Sequence, residues 1–125
     1  MDTRTKILTP AAAARLPAPV TVATGLFDVL RAAHVRELRQ ARETVPGAPL
    51  LAVVLPLENA LLGQRARAEL AAALRVVDYV VVANHEEAHA LIEALQPARL
   101  LRLEAADEDR VRQLRDHVRR RQTCK

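Results

Sequence analysis

Three short apolar runs, beginning at Val20, Leu50 and Asp78, constrain this chain more than anything else in it. Val20 to Thr24 is rich in β-branched residues and stops at Gly25. Leu50 to Leu55 is continuously apolar and stops at Pro56, and Asp78-Tyr79-Val80-Val81-Val82-Ala83 carries the strongest strand signal in the chain. Apolar runs of this length without polar alternation suit strands that are covered on both faces. The segments between them have helical spacing. Leu30, His34, Leu38, Ala41 and Val45 recur every three or four residues until Pro46-Gly47-Ala48-Pro49 breaks the pattern. Ala66 to Val77 repeats the spacing, with Ala66, Leu70, Ala73, Leu74 and Val77 expected to face inward.

A third helix is predicted from Asn84. Asn84 serves as its cap, Glu86 and Glu87 favour its first turn, and Ala88, Leu91, Ile92 and Leu95 form its apolar stripe before Gln96-Pro97. Two minor elements flank this series. Thr9 and Pro10 start a short helix that Leu16-Pro17-Ala18-Pro19 ends, and Leu100 to Leu103 reads as a short last strand. Alternating strands and helices dictate an α/β, Rossmann-like architecture. The expectation is a parallel sheet of about four strands, with Val20 to Thr24 central and helices on both faces joined by right-handed crossovers. In such sheets ligands bind beyond the carboxyl ends of the strands, which draws attention to the turn from Thr24 to His34.

Charge divides the chain unequally. The 125 residues hold 19 Lys and Arg against 15 Asp and Glu, a formal balance of +4. From residue 110 onward, seven basic residues face only Asp116, so this stretch carries +6 and leaves −2 to everything before it. The expected division is therefore one domain over residues 1–109 and a basic helix or tail over 110–125. In that tail Val111, Leu114 and Val118 form a thin apolar stripe. Three readings of the tail stand side by side: a solvated helix docked by that stripe, an anion or nucleic-acid contact, and dimerisation against the acidic body. With one Phe, one Tyr and no Trp, little surface exists for stacking bases, so nucleic acid is the weaker partner class. No run approaches the length of a membrane span and the start lacks the order of a secretion signal, so a cytoplasmic protein is expected. Cys124 stands alone, without a disulfide partner or a thiolate cluster.

The turn after the first long strand carries a resemblance. Val22-Ala23-Thr24-Gly25-Leu26-Phe27-Asp28-Val29-Leu30-Arg31-Ala32-Ala33-His34 resembles the Gly-x-Phe-Asp-x-x-His-x-Gly-His signature of cytidylyltransferase-like nucleotidyltransferases. Among these it is most similar to the adenylyltransferase domain of bifunctional heptose-phosphate kinase/adenylyltransferases. The helix-then-strand block Arg65 to Val81, the helix end Leu91 to Pro97 and the lead-in Lys6-Ile7-Leu8-Thr9 follow the same family in the same order. The resemblance implies a nucleoside triphosphate, ATP or CTP with magnesium, lying over the turn. A sugar or alcohol phosphate would attack its α-phosphate and pyrophosphate would leave. The implied nucleotide-binding positions are Thr24, Gly25, Leu26, Phe27, Asp28, Arg31, Ala33 and His34, with His34 as the catalytic donor.

Several family features are altered. Arg31 stands at the first histidine of the signature and Ala33 at its glycine. Arginine keeps a cation but gives up no proton as imidazolium does, and the Ala33 methyl crowds a phosphate approach. The loop Leu55 to Gly63 lacks the family's lysine and carries a single charge, Glu58. The family's lysine-glycine-glycine-aspartate strand end and its serine/threonine-rich helix start are replaced by Leu100-Leu101-Arg102-Leu103-Glu104 and the basic segment. These changes favour a degenerate domain, inactive or weakly nucleotide- or phosphate-binding, over an active nucleotidyltransferase. From the residues alone, His34 also fits a helix-start histidine that packs and caps, and Asp28 fits a turn residue bonding local amides.

One further motif invites a different reading. His85-Glu86-Glu87-Ala88-His89 matches the His-Glu-x-x-His pattern of zinc hydrolases. A catalytic zinc needs a cleft and a third ligand, whereas this motif opens a helix directly after a strand, so no metal ligand is assigned to the site. The same spacing does suit nickel or zinc taken up at a surface.

Overall fold

The computed structural model describes residues 2–28, 32–58 and 60–104. The basic segment, Arg31 and Leu30 fall outside these residues. Along the chain a 3-10 turn, Thr3–Lys6, leads into β1 (Ile7–Leu8), α1 (Pro10–Ala13), β2 (Thr21–Gly25), α2 (Ala32–Thr44), β3 (Leu50–Val54), α3 (Gln64–Ala72), β4 (Tyr79–Val82), α4 (His85–Leu95) and β5 (Arg99–Arg102). The five strands form one sheet in the order β1-β4-β3-β2-β5, and every neighbouring pair is parallel. The α/β, Rossmann-like expectation holds.

Two details differ from the sequence expectation. The sheet has five strands rather than four, because Ile7 and Leu8 pair with Val80 and Val81. Two residues are too short a run to give a periodic signal, and only the exposed edge of β4 makes a strand of them. The middle of the sheet is β3, not the Val20 to Thr24 segment, which lies one place over between β3 and β5. All five residues of β3 and of β2 are buried, as continuous apolar runs require.

Each face of the sheet carries its own core. On one face α2 and α3 bring Leu38, Ala68, Ala71 and Ala72 against Ala23, Leu50, Ala52, Val54 and Val80. On the other, α1 and α4 bring Ala13, Ala88, Leu91 and Leu95 against Val22, Leu51, Val53 and Val81. The stripe of α2 is the expected one, with His34, Leu38 and Ala41 buried. A fully buried leucine such as Leu38 contributes roughly 1.5–3 kcal/mol relative to exposure.

The stripe of α3 is a correction. Ala66, Leu70 and Ala73 are exposed, while Arg67, Ala68, Ala71 and Ala72 face inward. In an alanine-rich helix two registers are equally periodic. Packing selects the one whose small side chains let the helix approach the sheet most closely, and leucine is left outside.

Local chemistry fixes the helix ends. Thr9 accepts from the Ala12 amide and Pro10 occupies the first position of α1. Asn84 and Glu87 form a reciprocal capping box at α4, at 2.7 and 3.0 Å. Lys6, part of the family-like lead-in, donates its Nζ to Leu74 O and Val77 O at 3.2 and 2.8 Å, closing the chain after α3. At the same, amino-terminal end of the strands Asp78 accepts from the Leu50 amide at 2.8 Å and from Arg42 at 3.1 Å, which ties α2 to the entry of β3 and β4.

Candidate functional site

All parallel strands present their carboxyl ends on one side, and there β2 gives way to Leu26, Phe27 and Asp28. Gly25 ends β2 with its carbonyl accepting from the Leu55 amide, so the exits of β2 and β3 stay side by side. A Cβ on Gly25 would stand 3.0 and 3.4 Å from two ring carbons of Phe27 and 3.3 Å from Leu103 Cβ. The glycine therefore makes room for the chain's own aromatic ring. Phe27 reaches that place from a left-handed backbone (φ 54°), which is uncommon for a bulky residue, and is buried against the α2–α3 core.

The polar groups of the turn are equally committed. Thr24, buried, donates its hydroxyl to the Glu104 carboxylate, with Oγ1 2.9 Å from Oε1 and 2.7 Å from Oε2. Asp28 accepts from the amides of Leu61 and Leu62 at 3.0 and 2.9 Å. These amides belong to the loop between β3 and α3, more than thirty residues along the chain, so Asp28 is a clasp between distant segments rather than a local turn residue. The Leu61 amide, then the Leu62 amide and the nearby Arg67 charge, hold the Asp28 carboxyl below its ordinary range, while its partial desolvation opposes them. Between these groups lies Leu26, half-buried, whose carbonyl is taken by Arg67.

Arg67 is the residue the sequence pattern concealed. Only 2% exposed, it reaches from α3 beneath the strand exits and donates Nη1 to Leu26 O at 2.6 Å and to Leu55 O at 2.8 Å. Among the described residues its Nε has no hydrogen-bond partner. Gln64, one turn earlier, donates Nε2 to Val54 O and Ala83 O at 3.2 and 3.4 Å. The two side chains together bridge the ends of β2, β3 and β4. The signal that could have found Arg67 is the alternative stripe Arg67, Ala68, Ala71, Ala72, in which a lone polar residue faces a core.

Of the positions implied by the resemblance, Thr24, Gly25, Leu26, Phe27 and Asp28 are thus brought together at the exit of β2. His34 is 4% exposed in the first turn of α2, and Ala33 beside it is half-buried. Arg31 lies outside the described residues. Magnesium finds no ready set of protein ligands here. Both Asp28 oxygens accept backbone amides, the Glu104 carboxylate accepts the Thr24 hydroxyl, and no group of three His, Cys, Asp or Glu among the described residues is arranged to hold a metal ion. Nor is any helix among the described residues long and apolar enough to cross a membrane.

No protein-family model matches the chain. Curated relatives do. The bifunctional protein HldE of Geobacter sulfurreducens is 38% identical over 90 residues, 66% of this chain and 18% of its own length. The bifunctional protein HldE of Geotalea uraniireducens is 39% identical over 85 residues, 62% of this chain and 17% of its own length. The chain thus spans under a fifth of the relatives it matches. In fold it is similar to the lipopolysaccharide core biosynthesis protein of Thermoplasma volcanium, with a TM-score of 0.58 at 20% identity over 66% of this chain and 71% of that one. Sequence similarity to the bifunctional proteins, together with the parallel five-stranded sheet and the motif at the exit of β2, supports a cytidylyltransferase-like domain.

Proposed function

We propose that this domain has kept the nucleotidyltransferase scaffold and lost the transfer reaction, leaving at most weak nucleotide or phosphate binding. One observation carries this reading: the groups at the exit of β2 are bonded to one another instead of being held open for a triphosphate. Thr24 is held by Glu104, Asp28 by the Leu61 and Leu62 amides, Arg67 by two backbone carbonyls, and the space over Gly25 by Phe27. The charges of these groups point the same way. Among the described residues, Asp28 and Glu104 place two carboxylates at the strand exits, where the buried cation, Arg67, spends its reach on backbone carbonyls below the surface and exposed Arg102 ends β5 beside Thr24. Phosphoryl chemistry requires the reverse, an excess of cations and donors around oxygens that gain charge in the transition state. Magnesium would supply part of that excess, but Asp28 and Glu104 already accept hydrogen bonds from the protein, and among the described residues no third ligand completes a set.

The competing reading is an active transferase that joins a nucleoside monophosphate from ATP or CTP to a sugar or alcohol phosphate. The 38% identity to a bifunctional HldE protein favours it. The two are separated by incubating the protein with each triphosphate, magnesium and heptose, glycerol or ribitol phosphates. The expected result is no pyrophosphate release. Turnover that His34→Ala abolishes would establish the active enzyme instead. Thermal shift with the same triphosphates measures what binding is left, since a ligand at 100 times its Kd stabilises the fold by about 2.7 kcal/mol.

A further inference from the structure

The histidines of α4 are used by neither the core nor the strand exits. His85 is the first residue of α4 and His89 lies one turn on; both are exposed, away from the buried stripe Ala88, Leu91 and Leu95. Residues four apart on a helix bring their Cβ atoms to about 5–6 Å, within the span that one metal ion bridges between two imidazoles. Glu93, a further turn along, has Oε1 3.1 Å from His89 Nε2, so the same face carries a carboxylate partner for the second imidazole.

Electrostatics on this helix favour a cation. The amino-terminal end of a helix repels positive charge, which alone would count against a metal at His85 and His89. Glu86, Glu87 and Glu93 offset it, and α4 holds no Lys or Arg. Glu87 is bound into the capping box with Asn84, so its negative charge is fixed near the two rings without its being a ligand. We infer that His85 and His89 form a two-imidazole chelate for a divalent transition metal, with the Glu93 carboxylate adding negative charge beside it. Because no third His, Cys, Asp or Glu among the described residues completes a set, its remaining positions are open to water or to a group from outside the chain. Such a site exchanges its ion and prefers nitrogen-seeking metals in the order copper, nickel, zinc, manganese, and leaves magnesium alone.

The test is calorimetric titration of the untagged, full-length chain with copper, nickel, zinc and magnesium chlorides. Saturable binding of nickel and zinc is expected. It should weaken at least about tenfold in His85→Gln and again in His89→Gln, a loss no smaller than that for removing a group outside the coordination shell. His117→Gln serves as the control, because His117 is the histidine of the carboxyl-terminal segment, and it should leave the affinity unchanged. Glutamine at these exposed helix positions preserves the fold, which far-ultraviolet circular dichroism verifies. Undiminished binding in the His85→Gln/His89→Gln double variant, loss of binding in His117→Gln, or no nickel binding at all would each overturn the site.

Discussion

Replacing Arg67 by methionine tests whether the strand exits are held together from beneath. The change keeps an unbranched apolar stem in a site that is 2% exposed and removes the Nη1 group that serves Leu26 O at 2.6 Å and Leu55 O at 2.8 Å. Two effects oppose each other. Two buried carbonyls lose their donor, at about 1–3 kcal/mol each. Against this, the protein no longer desolvates a guanidinium, and the Nε that lacks a hydrogen bond disappears with it. Hydrogen bonds from a charged donor contribute about 1.5–3 kcal/mol each, so two of them offset most of that desolvation in the native protein. The loss of the carbonyl partners should then dominate, leaving Arg67→Met about 2 kcal/mol less stable, roughly a thirtyfold fall in the folded-to-unfolded ratio. In urea unfolding, with a slope of about 2 kcal/mol per molar, the midpoint should fall by about 1 M. An unchanged or higher midpoint would refute the reasoning, because it would mean that burying the charge costs more than its two bonds return.

Three further outcomes follow from the same contacts. Gly25→Ala places a methyl 3.0 Å from the Phe27 ring and 3.3 Å from Leu103, and should destabilise by about 1–3 kcal/mol; Gly25→Ala combined with Phe27→Leu should lose less than the sum of the two single changes, as thermal unfolding can show. Asp28 has its carboxyl held below the ordinary range mainly by the Leu61 amide, so its clasp on the loop is complete above about pH 4 and is lost as pH falls through the depressed native value. Asp28→Asn should therefore flatten the acid limb of the stability profile and speed proteolysis near Leu61, a 79%-exposed residue; an acid limb as steep as the parent's would rule this out. Asn84→Ala removes the Oδ1 that accepts from the Glu87 amide, leaving the backbone amide at 84 to donate to Glu87 Oε1, and should cost about 1 kcal/mol without affecting the contacts at β2, measured by chemical denaturation.

The architecture was legible in the sequence wherever local chemistry and burial agree. The runs at Val20, Leu50 and Asp78 can only be strands covered on both sides. Thr9-Pro10 and Asn84 with Glu87 cap their helices through contacts made within four residues. The spacing of His34, Leu38 and Ala41 specified the inner face of α2 because polar residues occupy its other side. The similarity of residues 22–34 to the nucleotidyltransferase signature was likewise visible along the chain.

The tertiary structure decided what depends on partners far apart in sequence. Ile7 and Leu8 become a strand only beside Val80 and Val81. The inward face of α3 was open to two readings until packing against the sheet chose its alanines over Leu70 and, with them, buried Arg67. The contacts within the candidate site were decided in the same way. A sequence presents Thr24, Asp28 and Gly25 as groups available to a ligand, since side-chain type and spacing carry no record of what lies opposite. Folding brings Glu104, the Leu61 and Leu62 amides and the Phe27 ring to those positions, so which groups each of them meets is decided by segments far away in the chain.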